Sequence, residues 1–550
     1  MKIFRNRWST CNLAAALYVL LSGSNLLVAE GPVVSPRPGA RVARPLPEAV
    51  DGGVRLSLNE TIALALANNI DLNISVSTAE SFRYSLMVNE GIFDPLIEST
   101  FLRRHVESPA TSTLVGAAVN QSDTYDGTLR VTQLLPVGGS VSLGYAANRT
   151  ATNSSFSFIN PSYSSGLTAF VSQPLLRGFG VNTTYWQINI ARNSRDSAYS
   201  DFVRSVQTVV NTVEQVYWDL VYSIDNLEVK KESLRIATDL NRITRIKIDV
   251  GSLAPIDIVQ TEVGIAQAEQ DIILAEGLIG DNQDLLKRAL NFDPTRWSTP
   301  IVPTDKIQAE EMGEIKIEEA TQTALAKRPE VQSALFAVDS DRVRYEYWKS
   351  ESLPGLSLVG SYGNPGIGGT THDANGNVID VGGFGDAVSQ MFRRDFKNWS
   401  VGFNFSYPIL NRAGRGQLGV ARYNLEASRA RLTTTEQNVL LDVRSAIRAI
   451  DTAGRSIVAA RKGRELAERN LDAERKKFEN GMTTSFQVNQ IQRDLSQART
   501  VEMLALAVYR KAVSTFHYAT ADILDWKGVR VEAAPEAMRS VVDLRKESSQ

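Results

Sequence analysis

Cysteine is nearly missing: the 550 residues hold one, Cys11. It stands ahead of an apolar, leader-like stretch, so a chain cut after that stretch keeps no thiol, no disulfide and no sulfur-based metal site. Histidine is almost as scarce, and His105, His372 and His517 are scattered without metal-ligand spacing. After the leader no run reaches the roughly 18 apolar residues that a membrane-crossing helix needs, which excludes helical spans. Neither sign of charge dominates. The formal balance is −2, or about −5 without the leader's three cations, and no basic stripe stands apart from matching acids, which argues against nucleic acid as a partner. The nucleophile elbow G-x-S-x-G, the phosphate loop and H-E-x-x-H are all missing. The stretch Asp373-Ala374-Asn375-Gly376-Asn377-Val378-Ile379-Asp380 begins like a calcium loop but lacks the downstream glutamate, and reads as a polar turn. The expectation is a protein that is not an enzyme and needs no cofactor or metal.

What is present begins with an address. Lys2, Arg5 and Arg7 precede the apolar run Leu13–Leu21, and small residues at Ser22, Gly23, Ser24 and Ala29 offer cleavage points. That is the layout of a secretory signal peptide over 1–29, with an uncleaved anchor as the alternative. A proline-rich stretch over 30–55 reads as a flexible linker.

The remainder is duplicated. Ala65–Leu72 matches Ala324–Val331 at an offset of 259, and Gln173-Pro174-Leu175-Leu176 matches Tyr407-Pro408-Ile409-Leu410 at 234. Val250-Gly251 matches Asn480-Gly481 at 230. The order of landmarks is the same in both copies, so the chain divides into a first repeat over 56–300, a second over 301–525 and a tail over 526–550. The first copy is longer by about 25 residues, the difference between the first two offsets. Its surplus alternates at Leu129, Val131, Val141, Leu143 and Tyr145 around Pro136-Val137-Gly138-Gly139, a hairpin signal over about 125–148 that either adds two strands to the sheet, making six, or folds over its end.

Each copy carries one very long helix. Val203, Val206, Val210, Val213, Tyr217, Leu220, Ile224 and Leu227 step by three and four, a heptad seam within a helix expected over 183–249. Val439, Val443, Ile447, Ile450 and Ile457 give the second copy a similar stripe over 412–479. Shorter helices are expected over 57–91, 255–291, 315–352 and 484–521. At 1.5 Å per residue each long helix reaches about 100 Å, and each pair of short ones a similar total. Four helical columns per chain follow.

Between the helices the period changes to two. From Trp399 to Tyr407 the odd positions Val401, Phe403, Phe405 and Tyr407 are large and apolar while the even ones are small or polar. Leu356, Leu358 and Tyr362 follow the same rule, as do Leu167, Ala169 and Val171, and a fourth strand with a poorer pattern is expected near Leu96–Leu102. This suits a barrel strand with lipid on one face and water on the other, or a soluble strand with one face on a core. Four such strands cannot close a membrane barrel, so on the first reading several chains must share one. Aromatic clusters at Tyr185-Trp186 and Tyr345 to Trp348 mark the strand–helix junctions, as an interfacial belt or as packing.

The ordered set of these features, over about 56–525, resembles the TolC-like outer-membrane efflux proteins. It rests on the duplicated helix–strand–strand–helix order, the strand endings Ser172-Gln173-Pro174-Leu175 and Ser406-Tyr407-Pro408-Ile409, and the tips Val250-Gly251-Ser252-Leu253 and Asn480-Gly481-Met482-Thr483. The resemblance implies a mixed α+β membrane protein: a tandem-duplicated α-helical coiled-coil tunnel plus a transmembrane β-barrel of twelve strands shared between three chains, embedded in outer-membrane lipid. It implies an exit channel for efflux or type I secretion. The two tips would touch a periplasmic adaptor joined to an inner-membrane pump of RND, ABC or MFS type. It also implies an entrance constriction at Asp257, Phe478, Gln487 and Gln490. There the sequence departs from the family, which carries two aspartates at the places of Gln487 and Gln490, an arginine at that of Thr483 and a tyrosine at that of Phe478. Asp257 is kept, though an acid in a first helical turn also has a purely structural reason to be there. The alternative to a channel is a periplasmic or surface coiled-coil protein whose strands form a soluble sheet.

Overall fold

The computed structural model describes residues 52–531 apart from 111–115, 117, 155–156, 309–312, 314 and 374–376. The leader, nearly all of the expected linker and most of the tail lie outside the described residues, as does the middle of the Asp373–Asp380 turn. The first repeat runs through β1 (Val54–Leu56), α1 (Leu58–Asn68), α2 (Ile70–Glu90), β2 (Leu96–Pro109), β3 (Val119–Leu134), β4 (Ser140–Thr152), β5 (Ile159–Pro174), the single turn α3 (Val181–Thr184), α4 (Trp186–Asp249) and α5 (Ile256–Ala289). The second runs through β6 (Ile301–Pro303), α6 (Ile317–Lys327), α7 (Pro329–Glu351), β7 (Gly355–His372), β8 (Val378–Val381), α8 (Phe384–Arg393), β9 (Asn398–Ser406), α9 (Arg412–Glu479) and α10 (Ser485–Ala519), and α11 (Ile523–Trp526) follows. None of the described helices is long and apolar enough to cross a membrane.

The long helices α4 and α9 have 64 and 68 residues, about 96 and 102 Å at 1.5 Å per residue. Their seams are where the chain packs. Val206, Val210, Val213, Tyr217 and Leu220 are buried against α1, α5 and the parallel β1–β6 pair. Val439, Val443 and Ile450 are buried against α7 and α10. One polar knot ties the first core: the Tyr217 hydroxyl donates to the Asp305 carboxylate at 2.7 Å, and that carboxylate also accepts from the Leu58 N–H at 2.7 Å. Ser57 and Glu60 complete a capping box on α1, so the first orphan N–H groups of that helix have partners.

The half-length columns expected as single helices over 57–91 and 315–352 are each broken once, at Asn69 and Arg328. Both residues hold extended backbone, with φ/ψ of −61°/130° and −65°/126°, and they are equivalent in the two repeats. The causes differ. Arg328 precedes Pro329, whose ring disfavours helical conformation in the residue before it. Asn69 caps α2 by accepting from the Leu72 N–H at 3.1 Å and donates to the Ala289 carbonyl at 3.0 Å.

Apart from the β1–β6 pair, the strands form one sheet in the order β2-β3-β4-β5-β7, with β9 and the short β8 both on the far side of β7. The surplus hairpin is β3–β4. It lies within the sheet, between β2 and β5, and is longer than the expected 125–148. This corrects the count of four strands per chain that the resemblance carries, because six long strands are present. The strand expected near Leu96–Leu102 also continues, to Pro109.

Register fixes which residues share a face. Phe403 stands opposite Leu358, which is opposite Gln173; Trp399 stands opposite Tyr362, then Ala169, Leu143, Val131 and Ile97 in turn. This face is mostly apolar, whereas the other is more polar: Ser400 stands opposite Ser361, then Phe170, Ser142 and Thr132, and in the next row Gly363 is followed by Thr168, Gly144, Arg130 and Glu98. The apolar face is not packed on a core: Val401, Phe403 and Phe405 are 67–70% exposed, and Tyr407, just past the strand end, is 38% exposed. At the junctions Trp186 stacks on Tyr347 at 4.2 Å and Phe93 meets Tyr185 at 4.7 Å, so these aromatics pack helix against helix and strand end.

Beyond α10 the chain folds back. Lys527 Nζ meets Glu214 Oε1 of α4 at 2.8 Å, with both side chains buried, and the Trp218 indole donates to the same oxygen at 3.4 Å. Removing one partner of a buried pair leaves an uncompensated charge. Lys527→Met is therefore expected to destabilise the protein by roughly 3–5 kcal/mol, whereas the double change Glu214→Leu with Lys527→Met recovers most of that loss. Thermal melting of the purified variants checks both, and a single variant that melts with the parent would show that the pair contributes nothing.

Candidate functional site

The far ends of the helical columns bring the two repeats' tips together. At the end of α4 the Ser252 N–H donates to the Lys247 carbonyl at 2.7 Å and the Gly251 N–H to the Ile248 carbonyl at 2.9 Å. At the end of α9 the Met482 N–H donates to Lys477 at 2.9 Å and the Gly481 N–H to Phe478 at 3.1 Å. These are the same helix-terminating turn built twice. Each needs a left-handed residue after the helix, and Gly251 and Gly481 supply it at φ of +80° and +71°. Open space surrounds both glycines, so a side chain there meets backbone strain rather than a clash. Val250 and Met482 are 69% and 76% exposed. Ser252 and Asn480 are exposed as well, while Leu253 packs against a small cluster.

That cluster is made of Leu240, Leu471, Phe478, Val488, Ile491 and Leu495. Phe478 is buried in it, placed in the packing between helices. The Lys247 ammonium sits over the Phe478 ring at 4.4 Å, donates to the Phe478 carbonyl, and donates to the Glu479 carbonyl at 3.1 Å. One cation from α4 thus satisfies the last carbonyls of α9, at the end of the helix where positive charge is favoured. Thr483 donates to the Glu474 carboxylate at 2.6 Å, and Lys477 approaches its other oxygen at 3.1 Å. The Thr483 hydroxyl first, and the Lys477 ammonium after it, hold the Glu474 carboxyl below the usual carboxylate range.

The starts of α5 and α10 are joined across the repeats. Buried Ser485 donates to Asp257 at 3.2 Å and to Gln260 Oε1 at 3.4 Å, so Asp257 has a cross-repeat hydrogen bond as well as its place in a first helical turn. Asn489 reaches the Gln260 carbonyl at 3.3 Å. It fills the space beside Gly264, where an added Cβ would lie 2.4 Å from its amide nitrogen. Gln487 is exposed, and its backbone N–H is capped by Thr484 at 3.3 Å. Gln490 lies one turn on, its amide donating to Asp494 at 3.1 Å and accepting from Arg493.

Sequence reasoning named the turns, Asp257 and the glutamines. It missed Lys247, Glu474, Ser485 and the Asn489–Gly264 contact. Thr484 ahead of the helix was a readable cap signal, but Lys247 and Phe478 stand 231 residues apart, and no local pattern announces their meeting. No group of three or more His, Cys, Asp or Glu residues among the described ones is arranged to hold a metal ion.

Known proteins share this architecture. The chain is 21% identical over 355 residues to the outer membrane protein TolC of Vibrio cholerae, covering 62% of this chain and 75% of that one. The solved structure of the outer-membrane channel OprN superposes with a TM-score of 0.63 at 14% identity, covering 84% of this chain and 90% of that chain. The Campylobacter jejuni CmeC outer membrane channel superposes with a TM-score of 0.62 at 16% identity, covering 89% of each. The model of the outer membrane efflux protein family matches residues 117–291 and 320–519, one segment in each repeat. With both repeats matched over more than half its length, the chain belongs to the outer membrane efflux protein family.

Proposed function

We propose that three copies of this chain close one transmembrane barrel over a common helical tunnel, and that the assembly is the exit duct of a tripartite efflux or type I secretion system. The observation that carries this reading is the sheet. It has one apolar face that is uncovered except where α8 lies on its outer end, one face that is more polar, and no further strand on the outer edges of β2 and β9 among the described residues. Each large side chain left in water forfeits about 1.5–3 kcal/mol of burial, so this face needs lipid. An open edge in lipid leaves backbone groups without partners, so β9 of one copy must pair with β2 of the next. Six long strands per chain then give eighteen per trimer, against the twelve carried by the resemblance. Barrel diameter grows about linearly with strand number, which makes the wall about half again as wide.

On this reading the turns Val250–Leu253 and Asn480–Thr483 lie about 100 Å from the barrel and receive a periplasmic adaptor. An inner-membrane pump of RND, ABC or MFS type drives cargo toward them. Gln487 and Gln490 ring the entrance with neutral amides. The mature chain follows a cleaved signal peptide over 1–29. Membership of a channel family makes the protein a transporter component and not an enzyme.

Cross-linking of the detergent-extracted protein is expected to end at a trimer; a ladder that stops at monomer or dimer removes the shared barrel. Replacing Gly251 or Gly481 with tryptophan forces a bulky residue into the left-handed region and is expected to abolish export while the trimer stays in the membrane. Export that survives both changes removes the tip assignment. For the entrance, single-channel recording across a salt gradient should find weak cation preference in the parent. Gln487→Asp with Gln490→Asp should raise that preference and create block by trivalent cations. Strong trivalent block of the parent would mean that another carboxylate, Asp257 or Asp494, lines the bore.

A further inference from the structure

One row of the sheet departs from the apolar face in both charge and chemistry. Arg103 of β2 stands opposite Tyr125 of β3, Tyr125 opposite Arg149 of β4, and Arg149 opposite Tyr163 of β5. Cation and aromatic alternate across four neighbouring strands, all on the face that carries Phe101, Leu143 and Phe403. The Arg103 guanidinium lies 5.3 Å from the Tyr125 ring centre, and that of Arg149 lies 5.6 Å from Tyr125 and 5.8 Å from Tyr163. Arg149 Nε also donates to the Tyr163 hydroxyl at 3.3 Å. Neither arginine has a carboxylate within salt-bridge reach among the described residues. The acids farther out on the same face, Asp123 and Glu107, are held by His105 at 2.9 and 3.2 Å. The row therefore keeps two positive charges, two strands or about 10 Å apart, with no carboxylate among the described residues paired to either.

Its height is what makes this an interfacial row. The outward apolar rows begin at Leu356 opposite Phe405 and end where Phe101 stands opposite Gly127, in a row that continues to Gly366. From Leu356 to Gly366 is ten residues, about 34 Å along a strand and about 26 Å of height at a tilt near 40°. That equals the roughly 25 Å apolar band of a membrane barrel. The arginine row is the next one outward.

Helix α8 marks the same level. It lies flat on the outward face, so close that a Cβ on Gly366 would stand 2.0 Å from the Ala387 carbonyl oxygen and one on Gly368 would stand 2.3 Å from that of Gly383. Met391 covers Ser165 and is itself buried, and Phe384 meets the Tyr163 ring edge at 6.5 Å. The opposite side of the helix carries Phe392, which is 72% exposed. An apolar side chain at that depth faces acyl chains, while the row beside it faces headgroups.

We propose that the Arg103–Tyr125–Arg149–Tyr163 row, flanked by α8, binds the phosphate-bearing headgroup of an anionic lipid in the outer leaflet. This rests on the reading of the apolar face as lipid-facing. Guanidinium forks match phosphate oxygens in pairs, and the Tyr125 ring lies between the two of them, within 5.3 and 5.6 Å of Arg103 and Arg149. The row is charge-selective but not built for a free ion, because it lies along a bilayer surface with an acyl-compatible helix at its end.

The test uses the full-length trimer reconstituted into phosphatidylcholine bilayers with and without phosphatidylglycerol, with retained lipid counted by native mass spectrometry after extraction. The expected result is preferential retention of phosphatidylglycerol. Arg103→Gln with Arg149→Gln should cut that preference by roughly tenfold to thirtyfold, Arg103→Lys with Arg149→Lys should keep most of it, and inorganic phosphate should leave it unchanged. Equal retention of the two lipids by the parent, or unchanged preference in the glutamine variant when it is still trimeric, overturns the proposal. So does displacement of the lipid by inorganic phosphate alone, which would make this a free-anion site. A chain that enters neither bilayer overturns the channel reading with it, whereas insertion without headgroup preference overturns only the lipid site.

Discussion

Everything above the helices follows from one constraint on the peptide backbone: in hydrocarbon every N–H and C=O must find a partner inside the protein. A sheet that ends in β2 on one side and β9 on the other meets this demand in its middle and fails it at its edges. Side chains cannot remedy such a deficit, whereas a second copy of the same sheet can. The same constraint explains why α8 lies where it does. β9 has nine residues and pairs with β7 only as far as Gly363. Beyond that point the Ile367 N–H is taken by the Gln390 side chain at 3.1 Å, and β8 takes up Thr370 to His372. Helix and short strand together finish an edge that the ninth strand leaves unfinished.

Below the sheet the governing interaction is different. Long helices in water gain little from propensity and much from a continuous buried seam, and both repeats build one. The two halves are not copies in detail. Asn69 and Arg328 place the same extended kink at the same point of each short column, one by capping the next helix and the other by preceding a proline. Backbone geometry has been kept while the chemistry that enforces it has changed. At the tips the two helix-ending turns remain alike bond for bond, and the contacts that cross between them, Lys247 to the end of α9 and Ser485 to Asp257, belong to one side each.

Periodicity made the long helices, their lengths and their buried faces readable, since a seam of Val206, Val210, Val213 and Tyr217 has no other use in a helix of that length. It made β9 readable for the same reason, because aromatics stand on alternate residues. β2 was harder: Leu96 and Leu102 fall on one face and Ile97 and Phe101 on the other, so no clean alternation appears. The breaks at 69 and 328 were missed although Pro329 was in plain view, because one residue of extended backbone hardly disturbs a helical pattern. The tip turns were legible from their glycines. Their clamps were not, since a lysine reaching a carbonyl 231 residues away leaves no trace in local sequence. The placement of the β3–β4 hairpin was equally hidden, because alternation tells which face a residue takes and not which strand lies beside it.

The hairpin has a mechanical consequence. β2, β5, β7 and β9 each continue into a helix of the tunnel, whereas β3 and β4 turn back on themselves at Leu135–Gly139. That turn is fastened to its neighbours by the Gly180 N–H and the Gln173 amide, both donating to the Val137 carbonyl at 3.2 Å. In the proposed barrel, torque applied to the helical shafts therefore enters the wall directly through four staves of every six, and reaches the remaining pair only through neighbouring strands and the fastening at Val137. In such a barrel the seams on either side of that pair are where a twist of the tunnel would be taken up first, because there a strand anchored in a helix borders one that is not.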